Sequence, residues 1–340
     1  MNIRSLSIVV LGSLIWCLPL FPVEVNFQGP LCGYYVDPVT HSVQPIMGIP
    51  GSATLGPVLA TGFDSVWVAP DGHTALGTQQ GTVFLVPNLG HASTRTALMP
   101  WTGQVDNVAW SDDSSGALLY SSARGTIRLA TGLQANPVVN PEVDITALGN
   151  PIPAFRLAKN TWNIAVIVRE TLPNATRAPS REGQGRNAAN SLYLLTPQGV
   201  ASAVRNISNP IGMDFSSGGD SLYVLDRSNQ IWTVPFSSPD TIQSVLLVST
   251  EASTNFEDLI TSSDGKFLYV LQSHAQTVCG YEISTGNSTF CTDLDVAPSG
   301  FQHLSGSLYL LMTMDHGITP RWVLDASQGQ TFFVPYGGGQ

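Results

Sequence analysis

The sequence predicts an all-β protein built from repeated antiparallel units, and three observations carry that prediction. Apolar residues make up 43% of the 340 residues and charged ones only 11%, alongside 32 Gly and 23 Pro. That is the composition of many short buried strands punctuated by turns. Runs rich in β-branched and aromatic residues alternate between two faces, as in Phe267-Leu-Tyr-Val-Leu271, a pattern suited to a pleated sheet. The same strand-turn-strand unit then recurs along the chain, and no stretch reads as a long amphipathic helix.

The unit is clearest from Phe256 to Ser284, where the runs LIT, FLYVL and VCGYEI are separated by a Ser-Ser-Asp-Gly turn and a polar His-Ala-Gln linker. Matching units begin at Phe63, Val105, Ile152, Ile211 and Ser299, at spacings of 42 to 59 residues. Such a period points to the four-stranded blades of a β-propeller. Alignment sets Asp64, Asp106 and Glu257 together at the starts of first strands. It matches Ala69-Pro-Asp-Gly72 with Ser262-Ser-Asp-Gly265, and Ser111-Asp-Asp113 and Ser216-Ser-Gly-Gly219 follow as looser versions. Asp-Gly or Gly-Gly supplies the positive φ of a tight hairpin. Second strands come next at Ala117–Tyr120, Ser221–Leu225, Phe267–Leu271 and Ser307–Leu311.

The expected architecture is six full repeats plus an N-terminal hairpin, within one propeller domain over 31–337. The hairpin, Leu31 to Gly51, turns at Asp37-Pro38 and reads as an outer strand pair. It either forms a shortened seventh blade or adds strands to the closing one, whose C-terminal pair is RWVLDASQGQTFFVPY. The ends should meet, since an open ring exposes sheet edges.

With these motifs, the chain resembles the repeats of bacterial TolB-type and YVTN-type β-propellers over roughly Leu31 to Tyr336. The resemblance implies a blade and no particular activity. The Gly-His and Trp-Asp pairs of WD40 blades are absent from the sequence.

Ahead of the repeats, Arg4 precedes an uncharged run from Ser5 to Val23 with the apolar core IVVLGSLIWCLPL. These are the n-region and h-region of a secretory signal. A small-x-small cleavage site is missing, so an uncleaved membrane anchor over 1–23 is the alternative. Either way the expected location is extracytoplasmic, periplasmic or secreted. Among the cysteines, Cys279 and Cys291 lie symmetrically about Thr285 in a candidate hairpin. They are either a cross-strand disulfide or two small apolar thiols in a sheet, and Cys32 is then left unpaired.

A net charge of −10 with only two lysines, Lys159 and Lys266, argues against binding a nucleic-acid backbone. No metal-ligand spacing of histidines, nucleophile elbow or phosphate-binding loop occurs. In a four-stranded meander alternate loops share a face. Asp64, Asp106 and Glu257 therefore share one with the insertion at 170–190, and the Asp-Gly turns lie opposite. Three carboxylates around a channel mouth could hold a hard cation such as Ca²⁺, or could instead satisfy backbone donors. The insertion and its border bring together Arg169, Arg177, Arg181 and Arg186, whose guanidinium groups suit carboxylate or phosphate partners.

Two functions follow as expectations. One is an exported binding or scaffold module for a protein or cell-surface component, in contact through loops on a rigid scaffold. The other is a metal-dependent hydrolase or lactonase of the six-bladed type, with axial carboxylates holding the ion that activates water.

Overall fold

A computed structural model describes residues 29–89, 94–100, 104–159, 163–169, 189–236, 244–249, 255–272, 274–313 and 321–335. They form seven antiparallel blades arranged in a ring. Blade 1 has three strands, β1 (Leu31–Val36), β2 (Val43–Met47) and β3 (Thr54–Leu55). Blade 2 comprises β4 (Ser65–Val68), β5 (Ala75–Gln79), β6 (Thr82–Val86) and β7 (Thr96–Pro100). Blade 3 comprises β8 (Asn107–Trp110), β9 (Gly116–Ser121) and β10 (Thr126–Thr131), with an outer edge split into β11 (Val138–Val139) and β12 (Val143–Asp144). Between these halves Glu142 pairs with Arg124 at 2.8 Å and Arg128 at 2.7 Å.

The remaining blades are four-stranded meanders in chain order. Blade 4 holds β13 (Asn150–Leu157), β14 (Ile164–Arg169), β15 (Asn190–Leu195) and β16 (Ala201–Val204). Blade 5 holds β17 (Pro210–Phe215), β18 (Ser221–Asp226), β19 (Gln230–Pro235) and β20 (Val245–Ser249). Blade 6 holds β21 (Asp258–Thr261), β22 (Phe267–Gln272), β23 (Thr277–Glu282) and β24 (Ser288–Asp293). Blade 7 holds β25 (Pro298–His303), β26 (Leu308–Thr313), β27 (Arg321–Asp325) and β28 (Gln330–Val334).

Side-chain chemistry sets the turns between first and second strands. In four blades the residue opening the turn accepts a backbone bond three positions on: Gly72 to Ala69, Ser114 to Ser111, Gly219 to Ser216 and Gly265 to Ser262, at 2.8–3.0 Å. The donor in each is left-handed, with φ of +67°, +58°, +72° and +70°, a conformation glycine adopts without strain. Ser114 keeps the geometry without a glycine, and Asp113 braces its turn by accepting from both Ser111 and Ser115 hydroxyls. The expected alignment of turns is therefore the observed one.

The core lies between blades rather than at a single centre. Seven apolar clusters are present among the described residues, one at each blade interface. The cluster at the meeting of the chain ends joins Cys32, Ile46 and Leu55 of blade 1 to Leu304, Leu310 and Val323 of blade 7. Each such fully buried aliphatic side chain stabilises the ring by about 1.5–3 kcal/mol. Among the described residues no strand is exchanged across this seam: blade 1 comes from the N-terminal segment and blade 7 from the C-terminal one. One backbone bond, from the Leu55 N–H to Pro335 O at 3.2 Å, and several side chains hold it instead. Ser305 Oγ donates to Cys32 O at 2.7 Å, Gln302 Nε2 to Tyr34 O at 3.5 Å, and the Arg321 guanidinium lies 3.8 Å from the Tyr35 ring centre.

The hairpin takes the first of its two expected places, a shortened seventh blade, and the order of these contacts corrects only its expected position as an outer strand pair. Residue numbers rise along β1 as they fall along β25, so β1 runs antiparallel to the innermost strand of blade 7. The three strands of blade 1 thus have the directions of second to fourth strands elsewhere. The hairpin is the inner pair of its own blade, with β3 completing it, and the ring has seven blades. Among the described residues blade 1 has no first strand and turn, and its neighbours approach each other there: a Cβ on Gly72 of blade 2 would lie 3.9 Å from Leu304 O of blade 7.

Cys279 and Cys291 stand directly opposite on β23 and β24 and form a disulfide, with Cα atoms 4.1 Å apart. That spacing is the close approach of a non-hydrogen-bonded antiparallel pair. Cys32 is free and buried, its thiol donating to Gly48 O at 3.2 Å. No helix among the described residues is long and apolar enough to cross a membrane. The expected signal or anchor over 1–23 lies outside the described residues.

Candidate functional site

First strands line the axis, and strict side-chain alternation decides what they present there. In β17 the buried Met213 and Phe215 flank Asp214, which therefore points away from their core. In β13 Arg156 alternates in the same way between the buried Phe155 and Leu157. Asp258 opens β21 immediately before the fully buried Leu259. These three charged side chains meet inside the ring.

Their hydrogen bonds tie consecutive blades together. Arg156 Nε lies 3.3 Å from Asp214 Oδ1, and Asp214 Oδ2 accepts the N–H of Thr261 from blade 6 at 2.8 Å. One blade further round, Asp258 Oδ2 accepts the N–H of Phe301 from blade 7 at 3.2 Å, and its Oδ1 accepts the N–H of Leu259 at 3.0 Å. Glycine gives the second carboxylate room, since a Cβ on Gly300 would lie 3.2 Å from Asp258 Oδ2. Burial pushes Asp214 above the usual carboxylate range against the pull of Arg156. Burial likewise raises Asp258 to about 6.

Two cavities flank this network. One, of about 350 Å³, opens on the turn face and is lined by Asp112, Lys159, Ser217, Ser263 and His303. The other, of about 550 Å³, opens on the opposite face beside Glu257, Trp67 and Gln302. Val108, Trp110, Arg156 and Phe301 line both. The cavities are thus the two halves of one axial channel, with the Arg156–Asp214 pair at its waist.

At the turn-face mouth, protein atoms crowd Asp112 and raise its carboxyl to about 7, helped by the charge of Asp214 and opposed by Arg156. Its residue surface is still open to water through the mouth. Among the described residues neither Asp112 nor Lys159 makes a side-chain hydrogen bond or ion pair. Burial pushes His303 below its ordinary value, so its imidazole is neutral near pH 7, and the ring packs edge-on against Tyr309 at 5.3 Å. The indole N–H of Trp110 is buried with no partner among the described residues. The mouth therefore offers an acid and an ammonium above a network in which the carboxylate oxygens of Asp214 and Asp258 are bonded.

The acids expected from the sequence stand elsewhere. The backbone N–H groups of Asp64, Asp106 and Glu257 donate to Thr78, Tyr120 and Leu271 respectively, so their shared register is real. Their side chains do not converge. Asp64 Oδ2 accepts the N–H of Gln80 at 2.8 Å, and Asp106 Oδ2 accepts the N–H and hydroxyl of Ser122 at 2.6 and 2.7 Å. Each caps the turn between second and third strands of its own blade. Glu257 is exposed at the rim. Among the described residues no three His, Cys, Asp or Glu side chains are grouped to hold a metal ion. Arg169 ends β14 exposed, and Arg177, Arg181 and Arg186 lie outside the described residues.

Sequence reasoning missed Arg156, Asp214 and Asp258, as well as Asp112 and Lys159 at the mouth. A usable signal was present: a single charge inside an otherwise apolar first strand, in AFRLA and GMDF. The first-strand acid of blade 6 that turns inward is Asp258, one residue beyond Glu257.

No protein-family model and no curated protein matches the sequence. Solved structures do. A functionally unknown protein from Desulfotomaculum acetoxidans is 13% identical, with a TM-score of 0.54 over 89% of this chain and 95% of that one. The Cps50 (Swd1) β-propeller domain of Myceliophteria thermophila is also 13% identical, with a TM-score of 0.55 over 82% and 88%. Hydrazine synthase of Kuenenia stuttgartiensis is 10% identical, with a TM-score of 0.52 over 92% and 98%. Likeness at such identities shows the fold alone, so the TolB-type and YVTN-type resemblance reaches no further than the blade: this chain is a β-propeller.

Proposed function

We propose that the chain is a non-catalytic binding module, exported by its N-terminal segment, that takes a polar group of a protein or cell-surface partner into the turn-face mouth of its channel. One observation carries this reading. Among the described residues the side chains of Asp112 and Lys159 make no hydrogen bond or ion pair at the mouth, above a network in which both oxygens of Asp214 and of Asp258 are already engaged. A hydrolase of the metal-dependent kind needs free carboxylate oxygens converging on an ion. Here a guanidinium supplies the positive charge at that depth. Arg169, exposed where β14 ends, with Arg177, Arg181 and Arg186 of the sequence that follows, is a second candidate contact.

The test compares immobilised wild-type protein with a D112N/K159A double variant, each exposed to solubilised cell-surface material from the producing cells. Selective enrichment of a component by the wild type, lost in a double variant of unchanged melting temperature, is the expected result. Equal recovery by both, or turnover of lactone substrates that requires added Ca²⁺, would overturn the reading.

A further inference from the structure

Beside the channel mouth, the turn face carries another cavity of about 460 Å³, in the cleft between blades 6 and 7. Its walls are aromatic: Phe267, Tyr269, Phe290 and Tyr309. The Tyr269 ring centre lies 5.4 Å from that of Tyr309 and 6.1 Å from that of Phe290. Two glycines give Phe290 its place. A Cβ on Gly280 of β23 would collide with its ring, and one on Gly329, in the turn between β27 and β28, would lie 3.2 Å from it. The ring thereby reaches from blade 6 over to blade 7. Close by, Thr292 Oγ1 donates to Gly329 O at 2.6 Å and bonds the same two blades.

The charge in this cleft has one sign. Asp264 stands at its rim, held below the usual carboxylate range by the Ser262 hydroxyl and the Lys266 N–H. Asp325 lies behind the wall, buried and accepting from the hydroxyls of Ser307 and Ser327. Burial pushes the Tyr269 phenol up to about 12, with the negative charges of Asp264 and Asp325 acting in the same direction. No lysine, arginine or histidine lines it. Lys266 approaches Asp264 to 3.5 Å with both side chains largely exposed. A pair of that kind is worth about 0–1 kcal/mol and gives way to a better-placed partner.

We propose that this cleft receives an arginine side chain of a partner protein, its guanidinium paired with Asp264 and its face stacked on the aromatic walls. A planar fork matches a carboxylate bidentately and stacks on rings, whereas an ammonium is a compact, strongly hydrated point charge. Cations are attracted to the faces of tyrosine and phenylalanine within about 6 Å. A chain of net charge −10 also draws basic partners by its long-range field. The cleft adjoins the channel mouth at Ser262 and Ser263, but its aromatic walls and Asp264 line the cleft alone, so the two contacts use different side chains.

Acetyl-arginine-amide, titrated into the intact protein and followed by the backbone amide shifts of Thr289, Ser307 and Ser327, which line the cleft and not the channel, tests the proposal. Saturable shifts confined to the cleft are expected. The uncharged isostere acetyl-citrulline-amide and acetyl-lysine-amide should each bind about tenfold more weakly, a difference of about 1.4 kcal/mol. Asp264→Asn should weaken the arginine probe by a similar factor, and Phe290→Leu should do so while retaining the melting temperature to within a few degrees. D112N/K159A should leave the titration unchanged. Equal binding of citrulline or lysine, shifts centred outside the cleft, or no saturable binding would each overturn the assignment.

Discussion

Asp214 of blade 5 accepts the backbone N–H of Thr261 from blade 6 at 2.8 Å, and Asp258 of blade 6 repeats the contact with Phe301 of blade 7 at 3.2 Å. Carboxylates thus stitch three successive first strands together from the channel side. Arg156 of blade 4 extends the chain backwards through its 3.3 Å contact with Asp214. Four blades are linked by three side chains, which makes the channel wall a structural element as well as the floor of a site.

Replacing Asp214 by Ala should therefore lower stability by about 1.5–3 kcal/mol, the cost of losing hydrogen bonds to a charged group and leaving the Thr261 N–H unsatisfied. Adding Arg156→Gln should cost less than the sum of the two single changes, because the second removes a guanidinium already left without its partner. A urea-denaturation cycle over the four proteins measures the coupling. Strict additivity would show that the pair does not interact.

The pH dependence follows from the same carboxylates. Burial raises Asp258 to about 6 and crowding raises Asp112 to about 7, so between about pH 4 and those values the folded state holds protons that the unfolded state has released. Stability should consequently fall as pH rises from about 4 to 7. Acids held low, such as Asp37, Asp113 and Asp264, act in the opposite sense and only below about pH 4, so the two windows are distinct. Asp258→Asn should flatten the loss between pH 4 and 6. An unchanged slope in melting temperature against pH would contradict this origin.

The seam depends on a glycine. A Cβ at Gly33 would lie 2.8 Å from Leu304 Cβ and 3.2 Å from Leu304 Cα, at a φ of +147°. Gly33→Ala should thus force blades 1 and 7 apart and destabilise the ring by about 1–3 kcal/mol. Amide exchange in β1 and β25 should accelerate together. Faster exchange in β1 alone would mean that blade 1 opens without disturbing blade 7.

Reduction of the Cys279–Cys291 disulfide, which closes a separation of 12 residues, should lower stability by about 3 kcal/mol on the chain-entropy account. The protein is expected to stay folded, because six other blade interfaces keep their apolar clusters. Melting curves with and without reductant check this.

Much of this fold was legible in the sequence because the turns carry their own chemistry. The Ser-x-Asp-Gly pattern fixes a local hydrogen-bond geometry wherever it occurs, so Ser262 to Gly265 could register the other blades. Cysteine symmetry about Thr285 likewise announced a hairpin whose opposed residues touch. Blade 1 was less legible: its strand directions depend on the packing of β1 against β25, residues some 270 positions apart in the chain, and no local pattern records that. The site was missed for a related reason. Asp64 and Asp106 share a register with Glu257, but their carboxylates are drawn back to turns 16 residues on. The inward positions are filled instead by Asp214, Asp258 and Arg156, which alternate with core residues and show no motif.

The most direct test of the account is calcium titration by calorimetry, on wild-type protein freed of metal, beside Asp258→Asn. Both oxygens of Asp214 and of Asp258 are already bonded and an arginine stands at the waist, so no stoichiometric binding heat that depends on Asp258 should be seen. One calcium ion bound per chain in the wild type and lost in Asp258→Asn would contradict it, and would return the channel to the metal-dependent hydrolase reading.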